Sequence, residues 1–124
     1  MAVEIEVLTD RNLVYATMRG QFGLKDALHM FDSYVSHPDF RPGMNILVDL
    51  REAHMVPSPD DIQNLAVYVR EHLAQRGTNY KAALVADSGI KRATAEVYQN
   101  LARSMPMDVQ VFNDLDVAYD WLAD

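Results

Sequence analysis

No cysteine occurs anywhere in the 124 residues. That excludes a disulfide framework, a thiolate zinc site and a cysteine nucleophile, and it accords with a reducing compartment such as the cytoplasm. No apolar run reaches the ~18 residues that a membrane-spanning helix needs, so membrane insertion is not expected. The opening stretch MAVEIEVLTD alternates acidic and apolar residues instead of placing a basic region before an apolar block, so no signal peptide is read. Positive charge is scarce: 11 basic residues stand against 18 acidic ones, a formal net charge of −7. An acidic surface repels phosphate backbones and anionic headgroups, so neither nucleic acid nor a membrane surface is an expected partner. Repeats, low-complexity tracts and internal linkers are missing too, and the length is that of one domain spanning 1–124.

What is present is a regular change of hydrophobic period. Residues 3–8 alternate apolar and polar, and 12–19 are rich in β-formers, so the two read as a hairpin about a Thr9–Arg11 turn. From Leu24 the period becomes helical, with Leu28, Phe31 and Val35, and this first helix ends near His37-Pro38. Residues 44–50 (MNILVDL) are almost wholly apolar, as expected of a strand covered on both faces. A second helix from Ser58-Pro59 carries Ile62, Leu65, Ala66, Val69 and Leu73 inward and ends at Gly77. A buried strand (81–86), a third helix (about 90–104, with Ala93, Val97 and Leu101 inward), a last strand (109–112) and a fourth helix with Leu115, Ala118 and Leu122 complete the chain. The order β-β-α-β-α-β-α-β-α predicts an α/β fold with a mixed, mostly parallel five-stranded sheet and four helices. Tyr98 and Trp121 read as core or core-edge residues.

Ligands of open α/β sheets sit outside the carboxyl ends of parallel strands. Two segments meet that description: VDLREAH, with Asp49, Arg51, Glu52 and His54, and ADSGIKR, with Asp87, Ser88, Lys91 and Arg92. If the third and fourth strands are neighbours, the two segments form one ligand or partner surface. Serine, histidine and aspartate for a hydrolytic triad are all present, but no GxSxG elbow accompanies them, so no catalytic residue is assigned. His29, His37, His54 and His72 show no i, i+4 pair, so no metal site is assigned, and nothing calls for a cofactor. Lys91 and Arg92 open a helix where cations oppose the dipole; they either share an anion or turn into solvent. The run Ser58-Pro59-Asp60-Asp61 has the chemistry of an N-cap, a first-turn proline and an acidic first turn.

The segment AALVAD, the helix AEVYQNLARS, the ending VQVFNDLDVAYDWLAD and the middle stretch NILVDLREAHMVPSPDDI together resemble the SpoIIAA-like family, related to STAS domains and bacterial anti-sigma factor antagonists. The element order agrees over the whole chain. The resemblance implies a non-enzymatic regulatory or protein-interaction domain. It also implies a phosphate-accepting serine at the start of the helix after the central strand, the position held by Ser58. Regulated members carry an acidic residue before that serine and small residues after it, whereas Pro57 and Pro59 flank Ser58. The fold is also similar to lipid-carrier domains, so the alternative is a small-molecule or lipid-binding domain using the crevice at the carboxyl ends of the central strands. The identity of the protein partner, the choice of ligand and association into a homodimer are left open.

Overall fold

The computed structural model describes residues 3–55, 58–87 and 89–124; Pro57 and Ser88, both noted above, lie outside the described residues. Strands β1 (Val3–Leu8) and β2 (Leu13–Phe22) form the expected antiparallel hairpin. A single 3-10 turn joins them and closes on Asn12, whose left-handed φ of 53° asparagine tolerates better than most residues. Then follow α1 (Leu24–Val35), β3 (Asn45–Met55), α2 (Pro59–Glu71), the one-turn α3 (Leu73–Arg76), β4 (Tyr80–Val85), α4 (Gly89–Ala102), β5 (Met107–Phe112) and α5 (Leu115–Ala123). The sheet order is β1-β2-β3-β4-β5, parallel from β2 onward.

This order decides where the helices go. Each crossover moves one strand in the same direction, and right-handed crossovers in one direction put their helices on one face. Accordingly α1, α2 and α4 cover the same side, where Phe31, Tyr34, Ala66, Val69, Ala95 and Ala102 pack on Val14, Ile46, Val48, Leu50, Ala82 and Leu84. Among the described residues, only α5 covers the other side, where Ala118 and Leu122 close over Leu13, Leu47, Ala83 and Val85. Asp114 caps α5, accepting from the backbone N–H groups of Asp116 and Val117. Lys81 Nζ donates to the Trp121 carbonyl at 2.9 Å, a cation against the negative end of that helix.

Three details depart from the sequence reading. First, β3 runs on through Arg51, Glu52 and His54 instead of ending at Leu50. Its pairing with β2 shifts between Thr17↔Asp49 and Arg19↔Glu52, so β3 carries one extra residue there. This bulge lets Leu50 and Ala53 both face the three-helix core. Second, α4 is turned about a third of a turn from expectation: Ala95, Tyr98 and Ala102 pack inward and Leu101 packs against the core as expected, while Val97 is 39 % exposed and Ala93 is also exposed. Two small residues permit close approach and the Tyr98 ring buries more apolar area than Val97 would, so this face wins. Third, the second helix breaks at His72, whose φ and ψ of −118° and 24° leave the helical region. Gly77 then turns the chain at φ +87°; a Cβ there would lie 2.1 Å from Gly43 N. Gly43 N donates to the Arg76 carbonyl at 2.9 Å, so this backbone contact fixes where Arg76 enters the interior.

Candidate binding site

The carboxyl ends of β3 and β4 do bring the two polar segments together. Asp49 is 5 % exposed and lies on the α5 face. Its carboxylate accepts from Arg51 Nε at 3.0 Å, from the second Arg51 terminal nitrogen at 2.9 Å and from the Tyr15 hydroxyl at 3.3 Å. Burial alone would raise its pKa, but the Arg51 and Tyr15 contacts outweigh burial and hold it below the usual carboxylate range. The same pairing raises Arg51, and burial followed by the Asp49 charge raises Tyr15. Lys91 donates to the Arg51 carbonyl, in the irregular stretch where ladder pairing is interrupted, and pairs with Asp87 at 3.0 Å. It therefore ties the two segments to each other; neither a shared anion nor a free solvent position describes it. Arg92 pairs with Glu96 at 3.6 Å. His54 is exposed on the extension of β3.

Ser58 is an N-cap. Asp61 N donates to its Oγ at 3.1 Å, and Ser58 N donates back to the Asp61 carboxylate at 3.4 Å. Its hydroxyl is thereby engaged by the helix, and Asp49 serves Arg51 and Tyr15 on the far face of the sheet, so Ser58, His54 and Asp49, one set of the residue types a hydrolytic triad needs, do not assemble.

A crevice at the end of an α/β sheet forms where neighbouring connections leave to opposite faces. The segments after β3 and β4 both lead to helices on the same face, so that geometry is missing between them. The concavity lies elsewhere, under the three helices. A cavity of about 100 Å³ runs between α1, α2, α4 and the sheet. Its partly exposed end is framed by Phe22, Gly23, Asp61 and Thr94, and its deep end by the buried Tyr34, Ile46 and Tyr80. Between them the walls are apolar, with Val48, Leu50 and Ala95 among them. The open end therefore does lie near the strands' carboxyl ends, beside the start of α2, while the void penetrates toward their amino ends.

Behind the deep end sits a group that sequence reasoning did not single out. Arg76 is 0 % exposed. Its guanidinium lies 3.5 Å from the centroid of the Tyr80 ring, with the rings of Tyr34 and Phe40 at 5.1 and 5.5 Å. Its Nε donates to the Tyr34 hydroxyl at 2.8 Å. Burial raises the Tyr34 phenol well above its ordinary value, against the opposing pull of Arg76. Burial likewise raises Tyr98, with Tyr80 and Tyr34 adding to the effect. An arginine just before a helix-ending glycine has the signature of a solvated C-terminal cation; only the break at His72 and the contact at Gly43 turn it inward.

No family model matches the chain, and no curated protein matches it. Among solved structures it resembles an uncharacterized protein of the DUF3478 family with a SpoIIAA-like fold from Shewanella loihica, at 18% identity and a TM-score of 0.61, covering 98% of this chain and 92% of that one. A five-stranded mixed sheet with three helices on one side and one on the other, matched over nearly its whole length by that structure, is a SpoIIAA-like fold.

Proposed function

We propose that the domain is a non-enzymatic binding module that takes a small apolar molecule, or the apolar part of a larger one such as a lipid, into the cavity beneath α1, α2 and α4. The observation that carries this reading is the cavity itself. Interiors are close-packed, and voids larger than a water molecule are few. An apolar cavity of about 150 Å³ in another protein is known to stay dry and to take up benzene. The one here, about 100 Å³, is smaller but open at one end, so a slender chain can keep part of its length outside. Burial in an apolar cavity stabilises such a ligand by roughly 25 cal/mol per Å² of its surface.

The test uses a neutral probe. Titration calorimetry with 1-octanol should show saturable binding to the wild-type chain. Ala95→Leu, which adds bulk to a cavity wall, should abolish it while leaving the chain folded. Failure of 1-octanol to bind the folded wild type at any soluble concentration overturns the reading.

A second reading, a protein-interaction surface, is favoured by α4. Ile90 and Val97, 72 % and 39 % exposed, share its outer face with Ala93. Regulation through a phosphate on Ser58 has less support, because the cap occupies that hydroxyl and Asp60 and Asp61 would repel the added charge.

A further inference from the structure

Arg76 has a feature that packing does not explain. Both terminal guanidinium nitrogens are buried and have no hydrogen-bond partner among the described residues. Burial raises the Tyr80 phenol, and the charge and hydrogen-bonding approach of Arg76 pull it down; the guanidinium nevertheless lies over the ring, and neither terminal nitrogen meets that hydroxyl in full bonding geometry. Cation–π contact with Tyr80, Tyr34 and Phe40 offsets part of the cost of burying the charge. It supplies no acceptor for four N–H groups, and buried charges in proteins are paired or hydrogen-bonded with few exceptions.

Tyr34 and Tyr80 are the shared wall. Both line the deep end of the cavity, and both touch the guanidinium. Tyr34 accepts from Arg76 Nε with its hydroxyl oxygen, which leaves its own proton to be donated. Tyr98, on the same cavity wall, has a phenol kept protonated by burial. The polar groups on the wall at the blind end of an otherwise apolar cavity are thus phenols with protons to donate, and the enclosed Arg76 guanidinium stands behind two of them, Tyr34 and Tyr80.

From this we infer that Arg76, with the Tyr34 hydroxyl, reads the anionic head of an amphiphilic ligand, a carboxylate borne on an unbranched apolar chain, which enters head first and leaves its tail toward Phe22 and Asp61. The inference rests on the reading of the cavity as a ligand site and names the ligand class for it. A carboxylate is planar and offers two acceptors, which matches the guanidinium fork. A neutral head of equal length would leave both terminal nitrogens without a charged acceptor. The carboxylate is bound without covalent change.

Octanoate and 1-octanol, compared at pH 7.5 by titration calorimetry, separate the two claims. The wild-type chain should bind octanoate at least tenfold more tightly than 1-octanol. Arg76→Met, which keeps length and removes charge, should lose that preference and retain affinity for 1-octanol. Tyr34→Phe should lower octanoate affinity several-fold and leave 1-octanol within about twofold; it serves as the deciding variant if R76M does not fold. Equal binding of octanoate and 1-octanol by the wild type overturns the role of Arg76 and leaves the cavity reading standing. So does an undiminished octanoate preference in the folded R76M chain. Absence of binding by either probe overturns both.

Discussion

The two faces of the sheet each hold an arginine beside the core, one exposed and one enclosed, and they treat it in opposite ways. On the α5 face, Arg51 meets Asp49 in a two-point pair, with Tyr15 completing the carboxylate's contacts. On the three-helix face, Arg76 is fully enclosed, stacked on aromatic rings, and leaves its terminal nitrogens without acceptors among the described residues. The first arrangement is closed chemically: each charge answers another, and the group holds the end of β3 in place. The second is open, with donors beside a cavity. The members of the first cluster satisfy one another, whereas the second leaves a buried cation behind the wall of a void.

The largest expected effect breaks the three-helix face at its backbone. Gly77→Ala places a Cβ 2.1 Å from Gly43 N at a φ of +87°. Strain and clash together should destabilise the chain by roughly 3 kcal/mol or more in denaturant melts. A loss under about 1 kcal/mol would mean that the segment around Arg76 rearranges freely.

Truncating one core residue on each face compares the two packings directly. Phe31→Ala, at the centre of the three-helix side, should cost about 3–5 kcal/mol, and Leu122→Ala under α5 about 2–5 kcal/mol. If Leu122→Ala falls within the error of the melt, α5 is peripheral and the second core is nominal.

The Asp49 pair gives a pH signature. The folded pKa of Asp49 lies below its unfolded value. Its contribution is therefore complete above the unfolded carboxylate range and is lost as pH falls below about 4, through the folded value. Asp49→Asn should cost about 1–3 kcal/mol at pH 7. The gap between variant and wild type should close as pH drops from about 5 toward 2. A gap independent of pH would show that the carboxylate's charge is not what Arg51 uses.

Ser58 carries the smallest effect. Ser58→Ala should cost about 0.5–2 kcal/mol through the lost cap on Asp61 N, and Ser58→Asp should restore most of it. Equal melts for all three would remove the capping role.

Much of this architecture is written in local periodicity. The alternation at 3–8, the apolar run at 44–50 and the 3.6-residue spacing of Ile62, Ala66 and Val69 depend only on neighbours in the chain, and they gave the element order. The Ser58 cap was equally local, because donor and acceptor lie three residues apart. The orientation of α4 was not: its sequence carries two apolar stripes, and only contact with the sheet selects Ala95 and Tyr98 over Ala93 and Val97. The extension of β3 depends on the hydrogen-bonding partner offered by β2 across the bulge. Arg76 lay furthest from sequence reach. Its neighbours Tyr34, Phe40 and Tyr80 come from a helix, a loop and a strand, and what buries it is the contact of Gly43 with Gly77. The sequence by itself determined the elements and their caps, because those interactions span a few residues. The tertiary structure alone decided which helix face is inward, where the void lies and which cation is enclosed behind its wall, because these depend on groups that are distant in the chain and meet only when the sheet and its three helices pack.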